Sequence, residues 1–256
     1  MNIFRNEFER RGFIEFKNAG LDKPLLERAK HRVEQVLDGS YETGAKPWSH
    51  FGDGITELTR LSQIHMTDQV IFEAITQSKI GELAALLTGS KVIKVWGCQL
   101  FHKPKLSKSK GNVGFHRDSQ HMPFFKKGVL TAWLPLTNVG ANSGPLTVVE
   151  GSHLWDRDDY CTGGEIQSLD RQVKSLKDYY NNKTWDEKDI ILDLGGVSFH
   201  SFDVLHGSYP NKSSLDRSVL TIGLITDSVE LDEKVEDYGY SMILSDEKFC
   251  PTIYSS

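Results

Sequence analysis

The feature that most constrains the fold is a change in the sequence near residue 91. From there on, short segments rich in Val, Ile, Thr, Phe and Trp alternate with Gly, Pro, Asn and Ser. Many short strands separated by turn residues are typical of a sandwich or a barrel. The sequence therefore predicts a mainly β core over residues 91–226. Its candidate strands are 91–103, 113–118, 129–136, 145–150, 190–193, 197–206 and 217–226.

The first 90 residues show a different pattern, with apolar side chains at helical spacing. Asp22 can cap a helix that has Pro24 at its first position, and the apolar residues that follow share one face. Two further stretches, from about residue 67 and from about residue 79, repeat this spacing. The sequence therefore predicts a mainly helical cover over residues 1–90.

Two other segments complete the prediction of a single domain over residues 1–256. Residues 156–189 are charged and interrupt the series of strands, with a helical centre near 165–181. We expect an insertion on one rim of the core and a candidate lid, because mobile rim segments commonly close active sites. Residues 227–256 form a C-terminal segment.

Composition argues against several classes of protein. Thirty Lys and Arg against 35 Asp and Glu give a net charge of −5, whereas a nucleic-acid-binding protein needs a concentrated basic face. No apolar run approaches the roughly 20 residues that span a bilayer, and the charged first residues do not resemble a secretory signal. Three cysteines without a zinc-like spacing, Cys98, Cys161 and Cys250, are typical of free thiols in a reducing compartment. We therefore expect a cytoplasmic protein without nucleic-acid or membrane partners.

A histidine and an aspartate two residues apart suggest a metal site. Successive side chains of a strand point to opposite faces, so His116 and Asp118 would share one face. An imidazole and a carboxylate side by side are two of the three ligands of a facial-triad iron(II) site. We expect the third ligand to be His206, with His200, six residues earlier on the same predicted strand, as the alternative.

An arginine follows the second histidine motif. Arg217 opens a strand on which it shares a face with Val219 and Thr221. An arginine facing into an apolar barrel is costly unless an anion meets it, and its planar fork suits a carboxylate. A dicarboxylate that chelates iron at one end could place its other end here. The alternative is a rim arginine paired with Asp216 or Asp203.

This combination resembles the phytanoyl-CoA dioxygenase family of Fe(II)/2-oxoglutarate-dependent oxygenases. The resemblance extends to Phe8–Phe13, to the Lys-Pro strand 95–104, and to segments 129–136 and 142–153. It implies a double-stranded β-helix, a jelly roll of the cupin type, with Fe(II) at one open end. His116, Asp118 and His206 would hold the metal, and Arg217, assisted by Ser208, would bind the distal carboxylate of 2-oxoglutarate.

The resemblance also implies residues around the cosubstrate and a reaction. Gln99, Lys103 and Trp133 match family positions that contact or enclose 2-oxoglutarate, and strand alternation places Thr131 beside Trp133. Dioxygen would be the second cosubstrate. The implied activity is oxidation, hydroxylation by default, of a small polar metabolite or biosynthetic intermediate, with release of succinate and CO2.

The substrate is constrained least. Glu150 stands where the family usually has proline, and Gln120 and His121 follow the metal motif where it often has an aromatic residue. With Arg117, these side chains predict a polar mouth that contacts a small-molecule substrate. Arg60, before a helix expected to cover the mouth, could contact a carboxylate. Two alternatives are a cupin-like metal-dependent isomerase or hydrolase that does not use 2-oxoglutarate, and a non-catalytic metabolite-binding protein.

Overall fold

The computed structural model of the protein describes residues 2–53, 55–107, 109–156, 163–164 and 168–256. Two antiparallel sheets form its core. The larger sheet consists of β1 (Phe13–Phe16), β2 (His50–Phe51), β3 (Thr59–Ser62), β4 (Val92–Lys103), β6 (Phe125–Pro135), β9 (Val197–Ser201), β11 (Arg217–Leu231) and β12 (Thr252–Ser255). The smaller sheet consists of β5 (Val113–His116), β7 (Leu146–Val149), β8 (Glu187–Ile190) and β10 (His206–Ser208).

The order of the strands places β6, β11 and β4, which carry several of the predicted site residues, side by side. The larger sheet runs β1-β9-β6-β11-β4-β3-β2, with β12 also paired to β4, and the smaller sheet runs β5-β10-β7-β8. The long strand β11 lies between β4 and β6, and Arg217 at its start pairs with Lys103. Chain segments that are far apart in sequence thus meet on one sheet face.

The first helices of the chain cover the outer face of the larger sheet, and the helix between β7 and β8 packs on the smaller sheet. The helices are α1 (Ile3–Arg11), α2 (Lys23–Leu37), α3 (Gln69–Thr76), α4 (Ile80–Thr88), α5 (Asp118–His121), α6 (Leu169–Tyr179) and α7 (Tyr240–Ile243). Asp22 caps α2 as expected, because its carboxylate accepts from the Leu25 amide at 2.8 Å. Apolar residues of α2, α3 and α4 pack with Cys98 and Leu100 of β4 in one buried cluster. The alternate residues of β4 therefore face the other way, into the space between the sheets.

The segment predicted as a helical cover also contributes strands. Within residues 2–90, β1 pairs with β9, and β3 pairs with β4, so this part of the chain extends the larger sheet. The C-terminal segment likewise adds β12. Helical periodicity identified the helices but gave no sign of these short strands, each of which pairs with a distant segment of the chain.

The predicted strand 197–206 is wrong as a single element. β9 ends at Ser201, and a turn closed by the amide of Val204 and the carbonyl of Ser201 at 3.1 Å carries the chain to the other sheet. The predicted strand 190–193 begins earlier, at Glu187. In the rim segment 156–189, α6 is formed, whereas residues 157–162, including Cys161, and 165–167 lie outside the described residues. Among the described helices, none has the length and hydrophobicity of a membrane span.

Candidate metal centre

Three metal-ligating side chains converge between the sheets. His116 ends β5, Asp118 begins α5, and His206 begins β10, which pairs with β5 so that the two histidines lie opposite each other. Oδ1 of Asp118 lies 3.7 Å from Nε2 of His116 and 3.6 Å from Nε2 of His206. One ligand atom from each side chain lies within 4.8 Å of the other two. In the described part of the chain, this is the one group of three such residues. The spacing suits three ligands of one ion.

Backbone contacts orient both imidazoles. Nδ1 of His116 lies 2.8 Å from the carbonyl of Gly114, and Nδ1 of His206 lies 3.0 Å from the carbonyl of Val204. A carbonyl can only accept, so each Nδ1 carries the proton and each Nε2 presents a lone pair. Burial, with His116 close by, holds the pKa of His206 well below its usual range. The neutral imidazole required for metal binding is therefore the form that the fold favours.

The two carboxylate oxygens of Asp118 have different surroundings. Oδ1 faces the two ligand histidines, whereas Oδ2 accepts a hydrogen bond from Oγ1 of Thr131 at 2.7 Å and lies 3.4 Å from Nε2 of His200. Burial raises the pKa of Asp118, but the neighbouring imidazoles, His206 above all, outweigh burial and hold that pKa well below its usual range. The carboxylate is therefore ionised, with one oxygen directed at the metal position.

His200 lies on a different strand from the predicted one. The sequence predicts it on the same strand and face as His206, but it lies on β9 of the other sheet, paired with Thr131 of β6. The rings of His200 and His206 still approach to 4.5 Å because the two sheets converge here. The three-ligand group contains His206 and not His200, which contacts the outer oxygen of Asp118.

Arg217 is a buried cation without a carboxylate partner. Its side chain is 2% exposed, Nη2 donates to the carbonyl of Gly144 at 2.5 Å, and Nε has no hydrogen-bond partner. Asp216 instead accepts from the amide of Lys105, and in the described residues no acidic group forms an ion pair with Arg217. Burial lowers the pKa of Arg217. A buried unpaired charge is costly, so this end of the cavity is suited to an anion.

Lys103 requires a correction of its expected role. It is fully buried and does not line the cavity; its ammonium donates to Oγ of Ser208 at 2.6 Å and to the carbonyl of Tyr209 at 2.5 Å. Burial, and then the charge of Arg217, hold the pKa of Lys103 well below its usual range. Lys103 therefore holds Ser208, which does line the cavity, rather than facing the cosubstrate itself.

The metal ligands open into a cavity of about 810 Å³. Gln99, Thr131, Trp133, Ser208 and Arg217 line it, as the sequence predicts. Its outer wall includes Arg60 and several side chains that sequence analysis did not identify: Trp48, Ser49, Ser62, Gln63, Trp96, Tyr238 and Tyr240. Most of these come from segments near residues 48–63 and 238–240, and no local pattern connects those segments with the metal motif.

The predicted polar mouth is only partly formed. His121 lines the cavity, with its ring 5.1 Å from that of His116. Arg117 is wrong as a mouth residue: it faces away from the ligands, is 2% exposed, and donates to the carbonyls of Ser152 and Asp203.

The other two predicted mouth residues also do not line the cavity. Glu150 is wrong as a mouth residue, because it pairs with Arg10 at 3.3 Å and Arg11 at 3.2 Å on the outer surface. The amide oxygen of Gln120 accepts from the backbone of Arg117 at 3.1 Å. Their family positions predicted the mouth, but β5 ends at His116, and the chain beyond it does not direct these side chains into the cavity.

Known proteins resemble this chain in sequence. Residues 8–219 match the model of the phytanoyl-CoA dioxygenase (PhyH) family. A curated relative, a probable alpha-ketoglutarate-dependent hypophosphite dioxygenase of Stutzerimonas stutzeri, is 25% identical over 182 residues. That match covers 67% of this chain but 58% of the relative, so the chain spans less than two thirds of the relative's length.

Solved structures resemble it in fold. The alpha-ketoglutarate-dependent carbocyclase SnoK from nogalamycin biosynthesis aligns with a TM-score of 0.71 at 19% identity, covering 94% of this chain and 90% of that one. The epimerase SnoN, in complex with Fe3+, alpha-ketoglutarate and nogalamycin RO, aligns with 0.68 at 18% identity over 92% and 87%. EctD from S. alaskensis, with 2-oxoglutarate and 5-hydroxyectoine, aligns with 0.69 at 17% identity over 89% and 77%. These likenesses confirm the predicted double-stranded β-helix.

Proposed function

Because the chain belongs to the phytanoyl-CoA dioxygenase family, we propose that it is an Fe(II)/2-oxoglutarate-dependent dioxygenase and that it hydroxylates a small polar metabolite or biosynthetic intermediate in the cavity between its sheets. One observation carries the proposal. A ligand set of two histidines and one carboxylate opens into the same cavity as a buried arginine that, among the described residues, has no carboxylate partner.

The donor set fits iron(II). Two imidazole nitrogens and one carboxylate oxygen on one side of an ion leave its other positions open, which is the arrangement of non-haem iron oxygenases. We assign His116, Asp118 and His206 as the ligands. Thr131 donates a hydrogen bond to the second oxygen of Asp118, and His200 lies 3.4 Å from it, so the carboxylate is directed at the metal through a single oxygen.

The far end of the cavity fits the distal carboxylate of 2-oxoglutarate. Arg217 offers a guanidinium whose Nε is buried without a partner, and Ser208 is held beside it by Lys103. Trp133 lies under the guanidinium, with its ring 5.8 Å from Cζ, and closes that side to water. Gln99 borders the space between Arg217 and the ligands.

The bound cofactors supply the oxidising chemistry, in which dioxygen is consumed and 2-oxoglutarate is decarboxylated to succinate. The protein orients the ligands, neutralises the distal carboxylate with Arg217, and excludes water with the apolar wall around Trp133 and Val219. The outer part of the cavity, beyond Thr221 and Gln99, has room for the substrate.

The first experiment is an anaerobic titration of the metal-free protein with Fe(II) and then 2-oxoglutarate. We expect the weak visible charge-transfer band of the iron chelate, followed in air by oxygen uptake and succinate formation. Iron binding without the band would favour the isomerase or hydrolase alternative. Mass spectrometry of products then separates addition of oxygen from loss of two hydrogens, a distinction that matters because similar structures include a carbocyclase and an epimerase.

Replacing Asp118 with alanine tests the ligand set. We expect Fe(II) affinity to fall by at least about 100-fold and succinate formation to disappear, because a ligand is lost outright. Asp178→Ala, which removes an exposed carboxylate on α6, is the control and should retain both. Full activity in D118A would rule out the assigned ligands.

A further inference from the structure

We propose that the substrate carries an anionic group and that Arg60 binds it. This inference rests on the function proposed above and concerns the outer part of the same cavity. Arg60 lies on β3, opposite Phe101 of β4, and its half-buried side chain lines the cavity. Its Nε is buried without a hydrogen-bond partner. Within the described part of the chain, its guanidinium forms no ion pair.

Arg60 and Arg217 stand on different strands of the cavity wall. β3 lies two strands from β11, and Arg60 is level with Val219 through Phe101, two residues along β11 from Arg217. With strands about 4.8 Å apart and about 3.4 Å per residue, their Cα atoms are about 12 Å apart. Arg217 lies at the end of the cavity assigned to 2-oxoglutarate, whereas Arg60 lies among the residues of the outer wall.

Among the described side chains that line the cavity, charge balance leaves Arg60 as the cation without a counterion. Iron(II) and Arg217 together bring three positive charges, and Asp118 with the two carboxylates of 2-oxoglutarate bring three negative charges. In that described lining, Asp118 is the single carboxylate and Arg60 is the remaining arginine. A loaded site therefore retains one positive charge at Arg60, in a partly desolvated position where an anion is favoured.

The side chains around Arg60 form a suitable site for such a group. Ser49 and Ser62 share a hydrogen bond of 2.5 Å and both face the cavity. Oε1 of Gln63 accepts a hydrogen bond from the backbone amide of Cys98 at 3.1 Å, and Nε2 of Gln63 lies 3.4 Å from the hydroxyl of Tyr240. These groups supply further hydrogen bonds to an oxyanion.

The rest of the outer wall is aromatic. Trp48 and Trp96 both lie beside Tyr240, with ring centres 6.3 and 5.3 Å from it. Aromatic rings favour contact with an apolar body over contact with a second anion, because their faces carry partial negative charge. The predicted substrate class is therefore a small organic acid, with its anionic group at Arg60 and its apolar part directed toward the iron.

The test uses the Fe(II)- and 2-oxoglutarate-loaded protein without oxygen, with matched charged and neutral probes. The probes are 3-phenylpropionate and phenylphosphonate, each paired with its neutral counterpart, 3-phenylpropionamide and diethyl phenylphosphonate. Binding is measured by calorimetry and by the change in the charge-transfer band. We expect the wild-type protein to bind at least one acid about tenfold or more tightly than its neutral counterpart.

The variants assign that preference to Arg60. R60Q should lose it, R60K should keep part of it, and R171Q, which removes an exposed arginine on α6, should not change it. No acid preference in the wild type, or a preference that survives in R60Q, would overturn the inference. If R60Q needs at least tenfold more 2-oxoglutarate than the wild type to form the charge-transfer band, Arg60 binds the cosubstrate instead. A wild-type protein with no band at all would count against the proposed function itself.

Discussion

At the scale of single residues, the metal site depends on hydrogen bonds that leave one atom of each ligand free. Backbone carbonyls accept hydrogen bonds from Nδ1 of His116 and of His206, and Oγ1 of Thr131 donates to the outer oxygen of Asp118. Each contact uses the atom that the metal does not need. Contacts of this kind fix ligand geometry before the ion arrives and therefore raise affinity.

Thr131→Val tests this directly, because valine keeps the shape and removes the donor. We expect Fe(II) affinity to fall by about 10-fold, since the carboxylate of Asp118 is then free to rotate. Thr147→Val is a matched control: it also removes a threonine-to-aspartate bond of 2.7 Å, to Asp189, which is not a ligand. Equal iron affinities in the two variants would show that Thr131 does not orient Asp118.

At the scale of elements, the position of His116 depends on a helix as well as on a strand. β5 is an edge strand of the smaller sheet, so the backbone of Phe115 has an unpaired side. Gln172 of α6 fills it, accepting from the Phe115 amide at 2.8 Å and donating to its carbonyl at 3.0 Å. A side-chain amide thus replaces the missing neighbouring strand beside a metal ligand.

Gln172→Ala should lower the free energy of unfolding by about 1–3 kcal/mol, because two hydrogen bonds to a buried backbone are lost. Urea denaturation measures this change, and the Fe(II) affinity should fall with it. Gln172→Glu keeps the acceptor but sets a carboxylate oxygen against the carbonyl of Phe115, so it should not restore the stability of the wild type. Lys174→Ala, an exposed position on the same helix, should have almost no effect. A Gln172→Ala protein as stable as wild type would contradict the assigned role.

At the scale of the whole molecule, histidines buried outside the ligand set make stability depend on pH. His65 is 2% exposed and His102 is 6% exposed, and burial lowers the pKa of each below 6.5. Below pH 6.5 the unfolded chain takes up protons at these positions that the folded chain does not. The contribution of these two histidines to the free energy of unfolding is therefore fully present above that pH and is lost as the pH falls through it.

We expect the free energy of unfolding of the metal-free protein to decrease between pH 7.5 and pH 5.5, measured by urea denaturation at each pH. His65→Gln keeps a donor for the carbonyl of Phe249, which His65 meets at 3.0 Å, and removes the titrating ring. Its slope should be shallower by up to about 1.4 kcal/mol per pH unit. The exposed His31→Gln should follow the wild type, and parallel slopes for all three proteins would refute the assignment.

Local patterns account for the parts of the site that sequence analysis anticipated. The histidine and aspartate of the metal motif and the strand that starts at Arg217 are short-range signals, and the structure brings them together. The break after Ser201 carries no glycine or proline, and the one local sign of it is a change of phase in the apolar alternation, from Val197 and Phe199 to Phe202 and Val204. Arg117 and Glu150 were misplaced because nearness in the sequence to the metal motif and to the next turn does not fix the direction of a side chain: Arg117 donates to backbone carbonyls and Glu150 pairs with α1.

The outer wall could not be anticipated for a different reason. Trp48 and Tyr240 are almost 200 positions apart in the chain, and their rings lie 6.3 Å from each other. Neither segment contains a motif, and their meeting depends on β2, β3 and α7 all lying at the same rim. Only the complete fold shows that they face the iron ligands.

This separation has an evolutionary consequence. The residues assigned to iron and 2-oxoglutarate lie between Gln99 and Arg217, whereas most of the outer wall comes from segments that flank this stretch on either side. Mutations in the flanking segments can reshape substrate preference while the oxidising machinery is inherited intact. A lineage can therefore explore new substrates through a series of active enzymes, and a chimera with both flanking segments exchanged together would inherit the preference of the donor.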